Sequence, residues 1–529
     1  MIKRWLKNKI EQQYPDSEFD VLTPPDSKMG DYSVNLAFVL AKKNGTSPIE
    51  EGQKIVEKFS ADREFTDRFG SVEFVPPGFV NLKISDDFLK DSVKDVFGMG
   101  DEFGASDIGK GQKINLEFVS ANPTGPLTVG NARAASYGDT LGNVLKKAGY
   151  QVGKEYYIND VGVQVKKLAE SIRLRMLELK GEKVEFGADL YQGEYIKDIA
   201  KDFLDRNVSE NNISAEVINT MTEKAKATMS SMGVKFDEWF PESRLHESGE
   251  VQHVFSELES KGYVVEEDGA KWLKMDGDQK AVLIKSDGST TYLTNDIAYT
   301  KNKFERGFDK AINIWGTDHH GDVPRLKAGV AALGYDVSRL EILLHQLVML
   351  KQKDERLKIS KRAGNLVILD DLLSEVGKDA IRFFFLTRDL NTHMEFDIDL
   401  AKEQSKQNPV FYIQYAFARL SSIFQKAGTV PELDEALLEL LKEEEELKLL
   451  RDITKFPDLV EEVAESYHVH HLAQYTLDLA SDFHKFYEKH RVIIEDESLQ
   501  SARLLLSEAV RKVLAVCLGL MGLATPERM

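Results

Sequence analysis

The chain contains only one cysteine, Cys517, among its 529 residues. A single thiol excludes an internal disulfide and any cysteine-rich zinc site. Its apolar surroundings, VLAVCLGLMGLA, favour a buried, unreactive side chain. The chain also lacks a long apolar run, since this stretch of about a dozen residues is its best membrane candidate and is too short to span a bilayer. The basic start, MIKRWLKNKI, is followed by no apolar segment or cleavage site, so we expect a surface helix and a cytoplasmic protein.

Positive charge is in short supply, because 69 Lys and Arg residues stand against 88 Asp and Glu residues and leave a net charge of −19. Such a chain is unsuited to nonspecific nucleic-acid binding, although a local basic patch can still hold a specific partner. Histidine is scarce as well, and none of the 11 histidines precedes His246. The first 245 residues therefore offer no imidazole for catalysis.

The chain divides by pattern into three parts. Up to about residue 105, helical patterns mix with short strands such as Phe79–Ile84, which predicts a small α+β domain. From about 106 to 390, strands and helices alternate, which predicts a parallel α/β sheet that binds ligands at the carboxyl ends of its strands. One strand is expected within KINLEFVSAN (113–122), where Ile114, Leu116 and Phe118 alternate with other residues. Two more are expected over Ala311–Gly316 and, as a single strand, over Leu343–Leu350.

The last part, from about 391 to 529, shows no convincing strand. The stretches 408–424, 472–492 and 502–522 have helical periodicity, so we predict an all-helical bundle. The run Glu443 to Glu446 is interpreted as a solvated helix face.

The stretch NPTGPLTVGNARA, Asn122 to Ala134, has the layout of a nucleotide-binding turn. A strand precedes it, two glycines, Gly125 and Gly130, allow close approach of a ligand to the backbone, and a helix is predicted to begin near Asn131. The free N–H groups at that helix start suit a phosphate. The alternative is a strand–loop–helix turn that binds nothing.

A second element, LKISKRAGN at 357–365, is strongly basic for so acidic a chain. Six cations fall within 351–362, against only Asp354 and Glu355. A basic loop of this kind can stabilise the charge on a departing pyrophosphate. The alternative is an ordinary solvated loop. The six cations are Lys351, Lys353, Arg356, Lys358, Lys361 and Arg362.

In this order, and more than two hundred residues apart, the two elements resemble the HIGH and KMSKS signatures of class I aminoacyl-tRNA synthetases. Longer segments narrow the resemblance to bacterial-type arginyl-tRNA synthetases and span almost the whole chain. They are EFVSANPTGPL (117–127), EYYINDVGVQ (155–164), 285–334, SKRAGNLVILDDLL (360–373), NPVFYIQYAFAR (408–419) and the terminal ATPERM. In addition, GDYSVNLAF and PPGFVNLKI are similar to the N-terminal tRNA-contacting domain of that family.

The resemblance implies three domains: 1–105 contacting tRNA, 106–390 a Rossmann-like catalytic domain with an insertion, and 391–529 a helical anticodon-binding domain. It implies ATP-dependent ligation of arginine to its tRNA through an arginyl-adenylate. Mg²⁺ is expected to arrive with ATP, and no tightly bound metal is expected. The chain is expected to be a monomer without DNA or membrane partners.

The resemblance also assigns site residues. The arginine site comprises Glu117, Ser120, Asn122, Glu242, Tyr292 and Asp296. The ATP site comprises Pro123, Gly130, Gly316, Asp318, His319, His320, Ile359 and Ser360. Catalytic roles fall on Thr128, Gly130, Asn131, Lys358 and Lys361. Carboxylates suit arginine because a guanidinium presents five donors in a fixed plane. The adjacent histidines have no third ligand at a spacing typical of zinc.

The chain departs from the family at the first signature, where Thr128-Val129-Gly130-Asn131 stands in place of HIGH. Threonine and asparagine still donate hydrogen bonds but carry no charge. Losing one charge-assisted hydrogen bond costs about 1.5–3 kcal/mol, or roughly ten- to a hundredfold in rate. We expect an active enzyme with a neutral version of the motif.

Three alternatives remain at this point. A catalytically silent homologue that binds arginine or tRNA would retain the same pocket, although the two lysines argue against it. A class I synthetase for another amino acid conflicts with Tyr292 and Asp296. An adenylate-forming enzyme that loads something other than tRNA conflicts with the two domains expected to contact tRNA.

Overall fold

The computed structural model of the chain describes residues 1–24, 26–277, 279–353, 355–357 and 367–529. The N-terminal part packs five helices around a four-stranded antiparallel sheet with the strand order β1-β2-β4-β3. Its elements are α1 Ile2–Gln13, β1 Val21–Leu22, β2 Tyr32–Val34, α2 Leu36–Asn44, α3 Pro48–Ala61, α4 Arg63–Thr66, β3 Phe69–Val75, β4 Phe79–Ile84 and α5 Asp86–Met99. The predicted α+β character and the strand at Phe79–Ile84 are confirmed.

A five-stranded parallel sheet forms the centre of the molecule. The first half of this region contains β5 Lys113–Glu117, α6 Val129–Lys147, β6 Gln151–Ile158, α7 Val163–Leu179, α8 Glu194–Asp205, α9 Ile213–Ser231, β7 Glu238–Pro241, α10 Ser243–Glu247 and α11 Glu250–Ser260. The second half contains β8 Val264–Glu267, β9 Ala270–Lys274, β10 Lys280–Ile284, α12 Tyr292–Glu305, β11 Lys310–Gly316, α13 Asp322–Ala332 and β12 Leu340–His345. The predicted parallel α/β sheet is thus confirmed.

The order of the central strands is β12-β11-β5-β6-β7, so the chain adds strands first on one side of β5 and then on the other. The point of reversal lies between β5 and β11, whose carboxyl ends are neighbours because Glu117 pairs in register with Asn313. In open α/β sheets this is where ligands bind. The small antiparallel sheet β10-β9-β8 stands apart from the central one.

The apolar run Leu343–Leu350 does not form one strand, which corrects the sequence prediction. Strand β12 ends at His345, and a new strand, β13 Val348–Gln352, begins after two intervening residues. The first strand pairs with β11, whereas β13 belongs to a separate three-stranded sheet with β14 Glu355–Leu357 and β15 Met394–Asp397. The polar pair His345-Gln346 interrupts the run where β12 ends, but it does not reveal which sheet each half joins.

The C-terminal part is a helical bundle, as predicted. Between β14 and the bundle lie α14 Leu369–Val376, α15 Lys378–Leu386 and α16 Ile398–Lys402. The bundle comprises α17 Pro409–Ala427, α18 Glu435–Leu438, α19 Glu444–Ser466, α20 His470–Lys489 and α21 Glu497–Leu520. The prediction of no strand beyond residue 391 is wrong for β15, which pairs with β13 far back in the chain.

The acidic run at Glu443–Glu446 is only partly solvated. Glu446 is fully buried, accepts hydrogen bonds from the N–H groups of Lys442 and Glu443, and pairs with Arg503 at 2.8 Å. The prediction of a solvated face is therefore wrong for this residue. No helix in the described ranges is long and apolar enough to cross a membrane.

Candidate functional site

A buried ion pair lies at the carboxyl end of the central strand. Glu117, the last residue of β5, accepts a 2.6 Å hydrogen bond from the ammonium of Lys303 on α12. Lys303 is 0% exposed and also donates to Asn313 of the neighbouring strand at 2.8 Å. The other Glu117 oxygen accepts from the Ser120 hydroxyl at 2.9 Å. Glu117 is therefore held rigidly and its charge is compensated.

A second carboxylate, Glu242, is buried where β7 passes into α10. It accepts hydrogen bonds from the Tyr157 hydroxyl at 2.9 Å and from the Asn295 amide at 2.6 Å. His246 Nε2 lies 3.6 Å from the same carboxylate. Burial raises the pKa of Glu242 above its ordinary value. The donors around it are mostly neutral, so the negative charge of this carboxylate is only partly compensated.

The third carboxylate, Asp296, has no compensating partner in the part of the chain that the structure describes. It accepts no hydrogen bond and forms no ion pair there, although it is half-buried on α12. Burial, reinforced by the charges of Glu117 and Glu242, raises the pKa of Asp296 well above that of an ordinary aspartate. The three carboxylates share one buried ammonium, so the pocket carries an excess of negative charge that a cationic ligand can neutralise.

The first signature lies at the start of α6, with Thr128 as the N-cap residue. Its N–H and its hydroxyl both donate to Asn131 Oδ1, at 2.8 and 3.1 Å. This local bond starts the helix at Val129, two residues earlier than predicted. The space beside Gly130 is open: among the described residues, the only atom within 4 Å of a Cβ added there would be Thr128 Oγ1, at 3.8 Å. The N–H groups of Val129 and Gly130 donate to none of the described residues, so the turn offers two donors to an anion, whereas the N–H of Asn131 donates to the Thr128 carbonyl at 2.9 Å.

The basic stretch lies between two described anchors. Lys358, Ile359, Ser360 and Lys361 themselves lie outside the described residues. Directly after the stretch, Ile368 forms an antiparallel bridge with Thr128, and the N–H of Leu369 donates to the Leu127 carbonyl at 2.9 Å. The residues that follow the basic stretch are therefore bonded to the first signature, although the two segments are more than two hundred residues apart in the sequence.

The remaining predicted residues surround this centre. Asn122 is exposed and donates to Gln164 at 3.0 Å, whereas Pro123 is buried in the same loop. Tyr292 is 59% exposed at the first turn of α12. The other predicted residues lie at the carboxyl end of β11. Gly316 is its last residue and is partly exposed, and Asp318, His319 and His320 follow it and are exposed. Among the described residues, no group of three or more His, Cys, Asp or Glu side chains could hold a metal ion.

Comparison with known families shows which class of protein carries this site. The family described as "tRNA synthetases class I (R), catalytic domain" matches residues 99–394, more than half of the chain. The "Arginyl tRNA synthetase N terminal domain" matches residues 1–84, and the "DALR anticodon binding domain" matches residues 413–529. The chain belongs to the arginyl-tRNA synthetase family.

Relatives of this synthetase agree over nearly their full length. The arginine–tRNA ligase of Carboxydothermus hydrogenoformans is 42% identical, with 98% of this chain and 96% of the relative covered. The arginine–tRNA ligase of Bacillus pumilus is also 42% identical, over 98% of this chain and 95% of the relative. The arginyl-tRNA synthetase of Thermus thermophilus matches in fold, with a TM-score of 0.80, 23% identity and both chains fully covered.

Sequence reasoning about this synthetase missed the residues that hold the pocket together. Lys303 and Tyr299 were not singled out, yet they lie on the same side of α12 as Tyr292 and Asp296. The intervals between these four residues are four, three and four, which is the spacing of a single helix face. Applying that spacing to Asp296 would have found Lys303 from the sequence.

His345 of the synthetase was also missed. It ends β12, and a Cβ atom added to the neighbouring Gly316 would lie 3.8 Å from His345 Nε2. Its Nδ1 is buried without a hydrogen-bond partner in the described chain, and burial lowers the pKa of this imidazole. No local motif marks this histidine, because only the parallel pairing of β11 with β12 brings it to the site.

Proposed function

We propose that the chain ligates arginine to its cognate tRNA in two steps. The carboxylate oxygen of arginine attacks the α-phosphorus of ATP, and the bond from that phosphorus to the bridging oxygen breaks, which releases pyrophosphate and leaves arginyl-adenylate. The terminal ribose hydroxyl of the tRNA then takes the arginyl group and AMP leaves. The observation that carries this proposal is the pocket of three carboxylates and one buried ammonium beside the free end of α6.

The charge balance of the pocket supports arginine as its ligand. Lys303 neutralises Glu117, so Glu242 and Asp296 are left to face a ligand with two positive groups. Arginine supplies a guanidinium and an α-ammonium. A planar guanidinium can bond two carboxylates at once, which a lysine ammonium cannot match in geometry. In this proposal Asp296, Glu242 and the rim residue Tyr292 bind the side chain.

The remaining groups of the two substrates follow from the same arrangement. Ser120 and Asn122 bind the α-amino and carboxyl groups of arginine beside Glu117. The nucleotide lies against Pro123 and Gly130 and against the exposed end of β11. Its further contacts in this proposal are Gly316, Asp318, His319, His320, Ile359 and Ser360. Lys358 and Lys361 stabilise the charge that develops on the leaving pyrophosphate.

No covalent enzyme intermediate is needed, because the acid anhydride is formed by positioning and electrostatics. Magnesium arrives with ATP and is held mostly by its phosphates. We also propose the domain limits 1–105, 106–390 and 391–529, tRNA contacts by the outer two domains, a monomeric state and a cytoplasmic location.

We propose that Thr128 and Asn131 replace the two signature histidines as neutral phosphate donors. The side-chain oxygen of Asn131, Oδ1, already accepts hydrogen bonds from the N–H and the hydroxyl of Thr128. The side-chain nitrogen, Nδ2, donates to none of the described residues and is available to a phosphate. We expect Asn131→Asp to lower the rate of arginine activation about ten- to a hundredfold. The carboxylate keeps the cap but removes the donor and repels the phosphates. ATP–pyrophosphate exchange with tRNA present measures this rate.

A thermal melt provides the control for the Asn131→Asp variant. A carboxylate in the first turn of a helix stabilises it by about 0.3–1 kcal/mol, so Tm is expected to stay equal or rise while the rate falls. The double variant Thr128→Ala, Asn131→Ala removes both groups together. An unchanged exchange rate in that double variant would contradict the phosphate role.

The raised pKa of Asp296 predicts that arginine affinity increases with pH. A pKa raised by burial and by neighbouring carboxylates keeps Asp296 protonated to a higher pH than an ordinary aspartate, and a neutral carboxyl cannot pair with a guanidinium. Binding therefore favours the ionised form and releases protons. Calorimetric titration with arginine in buffers of different ionisation enthalpy measures that release. Asp296→Asn should show a weaker dependence, with Glu242 as its remaining source. An equally steep profile in that variant would exclude Asp296 as a source.

Arginylation of purified arginine tRNA by the recombinant chain, with labelled arginine, ATP and magnesium, tests the proposed function directly. Robust charging is expected, and it would show that neither signature histidine is indispensable in this scaffold. Absence of charging with arginine and tRNA still bound would instead identify a protein that senses these ligands.

A further inference from the structure

Arg133 lies in the second turn of α6 and is 0% exposed. Its guanidinium donates to the backbone carbonyl of Gln346 at 3.0 Å and to those of Asp389 and Thr392 at 2.8 and 2.9 Å. None of these hydrogen bonds goes to a carboxylate. Burying a charged group is costly unless hydrogen bonds compensate it. The three main-chain carbonyls supply that compensation, so the guanidinium holds them in a fixed position.

All three carbonyls belong to the base of one small sheet. Gln346 lies in the short connection that enters β13, and Asp389 and Thr392 lie in the turn that enters β15. Strands β13 and β15 pair in parallel, and β13 pairs with β14, which leads into the basic stretch. Arg133 therefore joins the helix of the first signature to the sheet whose strand β14 directly precedes the basic stretch in the chain.

A separate contact ties the other end of the basic stretch to the same helix. The bridge from Ile368 to Thr128 and the hydrogen bond from Leu369 to Leu127 hold the chain where it returns from that stretch. The first contact lies before the basic stretch in the chain and the second lies after it. Together they fix the start of α6 relative to both flanks of Lys358 and Lys361.

We propose that Arg133 is a positioning residue for adenylate formation, which holds the sheet that precedes the basic stretch in place relative to the donors at the start of α6. This inference rests on the proposed function. It concerns the rate of the chemical step and not arginine affinity, because Arg133 contacts none of the residues that form the carboxylate pocket. A misplacement of the lysines would weaken charge stabilisation on the leaving pyrophosphate and leave the arginine pocket intact.

The test compares Arg133→Lys with Arg382→Lys, a matched control. Arg382 is also 0% exposed and makes three hydrogen bonds, to Asp139, Met232 and Met521, and none of these three bonds goes to the small sheet. We expect Arg133→Lys to lower kcat of ATP–pyrophosphate exchange, measured with tRNA present, by up to about a hundredfold, the scale of a misplacement of about 1 Å. KM for arginine should change less than about threefold, since no pocket contact is altered.

The control variant is expected to lower Tm by a similar amount while retaining kcat at a temperature where it is folded. Equal kcat losses in the two variants, or a rise in KM for arginine without a loss of kcat, would overturn the inference. Arg133→Gln serves as a second variant that keeps two amide donors. If both Arg133 variants fail to fold while Arg382→Lys folds, Arg133 is a structural residue and the inference is wrong. A wild-type chain without exchange activity would instead reject the proposed function, and the inference with it.

Discussion

Replacing Asp296 by asparagine is expected to weaken arginine binding by about thirtyfold to several thousandfold. The loss corresponds to about 2–5 kcal/mol for removing one partner of a buried charge pair. Asparagine has nearly the same shape as aspartate but carries no charge. The guanidinium of arginine then has Glu242 as the one remaining carboxylate in the proposed pocket whose charge no cation neutralises. Isothermal titration with arginine measures the effect directly and does not depend on the later steps.

The stability of the same variant separates binding from folding. The pKa of Asp296 is raised, so its ionised form opposes folding at neutral pH, and removing the charge should leave Tm unchanged or higher. Asp336→Asn is the control. Asp336 caps a short surface turn by accepting a hydrogen bond from the N–H of Ser338, and it is not one of the predicted site residues. A parallel fall of Tm and affinity, or full affinity in Asp296→Asn, would contradict the assignment of Asp296 to the arginine pocket.

The second large effect concerns stability and follows from Lys303→Met. This change leaves Glu117 buried with no cation and removes the donor to Asn313. Breaking a buried ion pair by removing one partner costs about 3–5 kcal/mol. Urea unfolding followed by circular dichroism should show a transition at clearly lower denaturant, together with loss of arginine binding.

A double variant tests whether the uncompensated charge is the cause. Lys303→Met with Glu117→Gln removes both charges, and most of the lost stability should return, because the penalty lies in the unpaired carboxylate. Lys197→Met is the control, because the pair of Lys197 with Glu194 measures 2.8 Å, close to the 2.6 Å of the buried pair, but is exposed, and such pairs contribute about 0–1 kcal/mol. Equal destabilisation of the single and double variants would show that the packing of Lys303, and not its charge, matters.

Local sequence patterns were sufficient to predict many elements of the fold. Helix α17 is an example, because Asn408 caps it by accepting from the N–H of Val410 at 3.1 Å and Pro409 occupies its first turn. The strand Ala311–Gly316 was also predicted, and it forms most of β11. Both succeed because capping, proline geometry and side-chain alternation act between residues that are close in the chain.

The errors occurred where distant segments decide the environment. The run Leu343–Leu350 is apolar except for His345 and Gln346, and this polar pair does not show that β12 pairs with β11 while β13 pairs with β15. Glu446 looked like its acidic neighbours, yet a buried Arg503 more than fifty residues away removes it from water. Neither partner can be read from the residues around the run or the glutamate.

The sequence by itself determined the family, the types of group at the site and the helices and strands that carry them. The tertiary structure alone decided which of these groups meet: Glu117 with Lys303, the Thr128 turn with Ile368, and Arg133 with the sheet that leads to the lysines. The physical reason is that desolvation and mutual repulsion depend on distance in space. The raised pKa of Asp296 comes from burial beside two other carboxylates, each supplied by a different segment of the chain, so no local pattern can encode it.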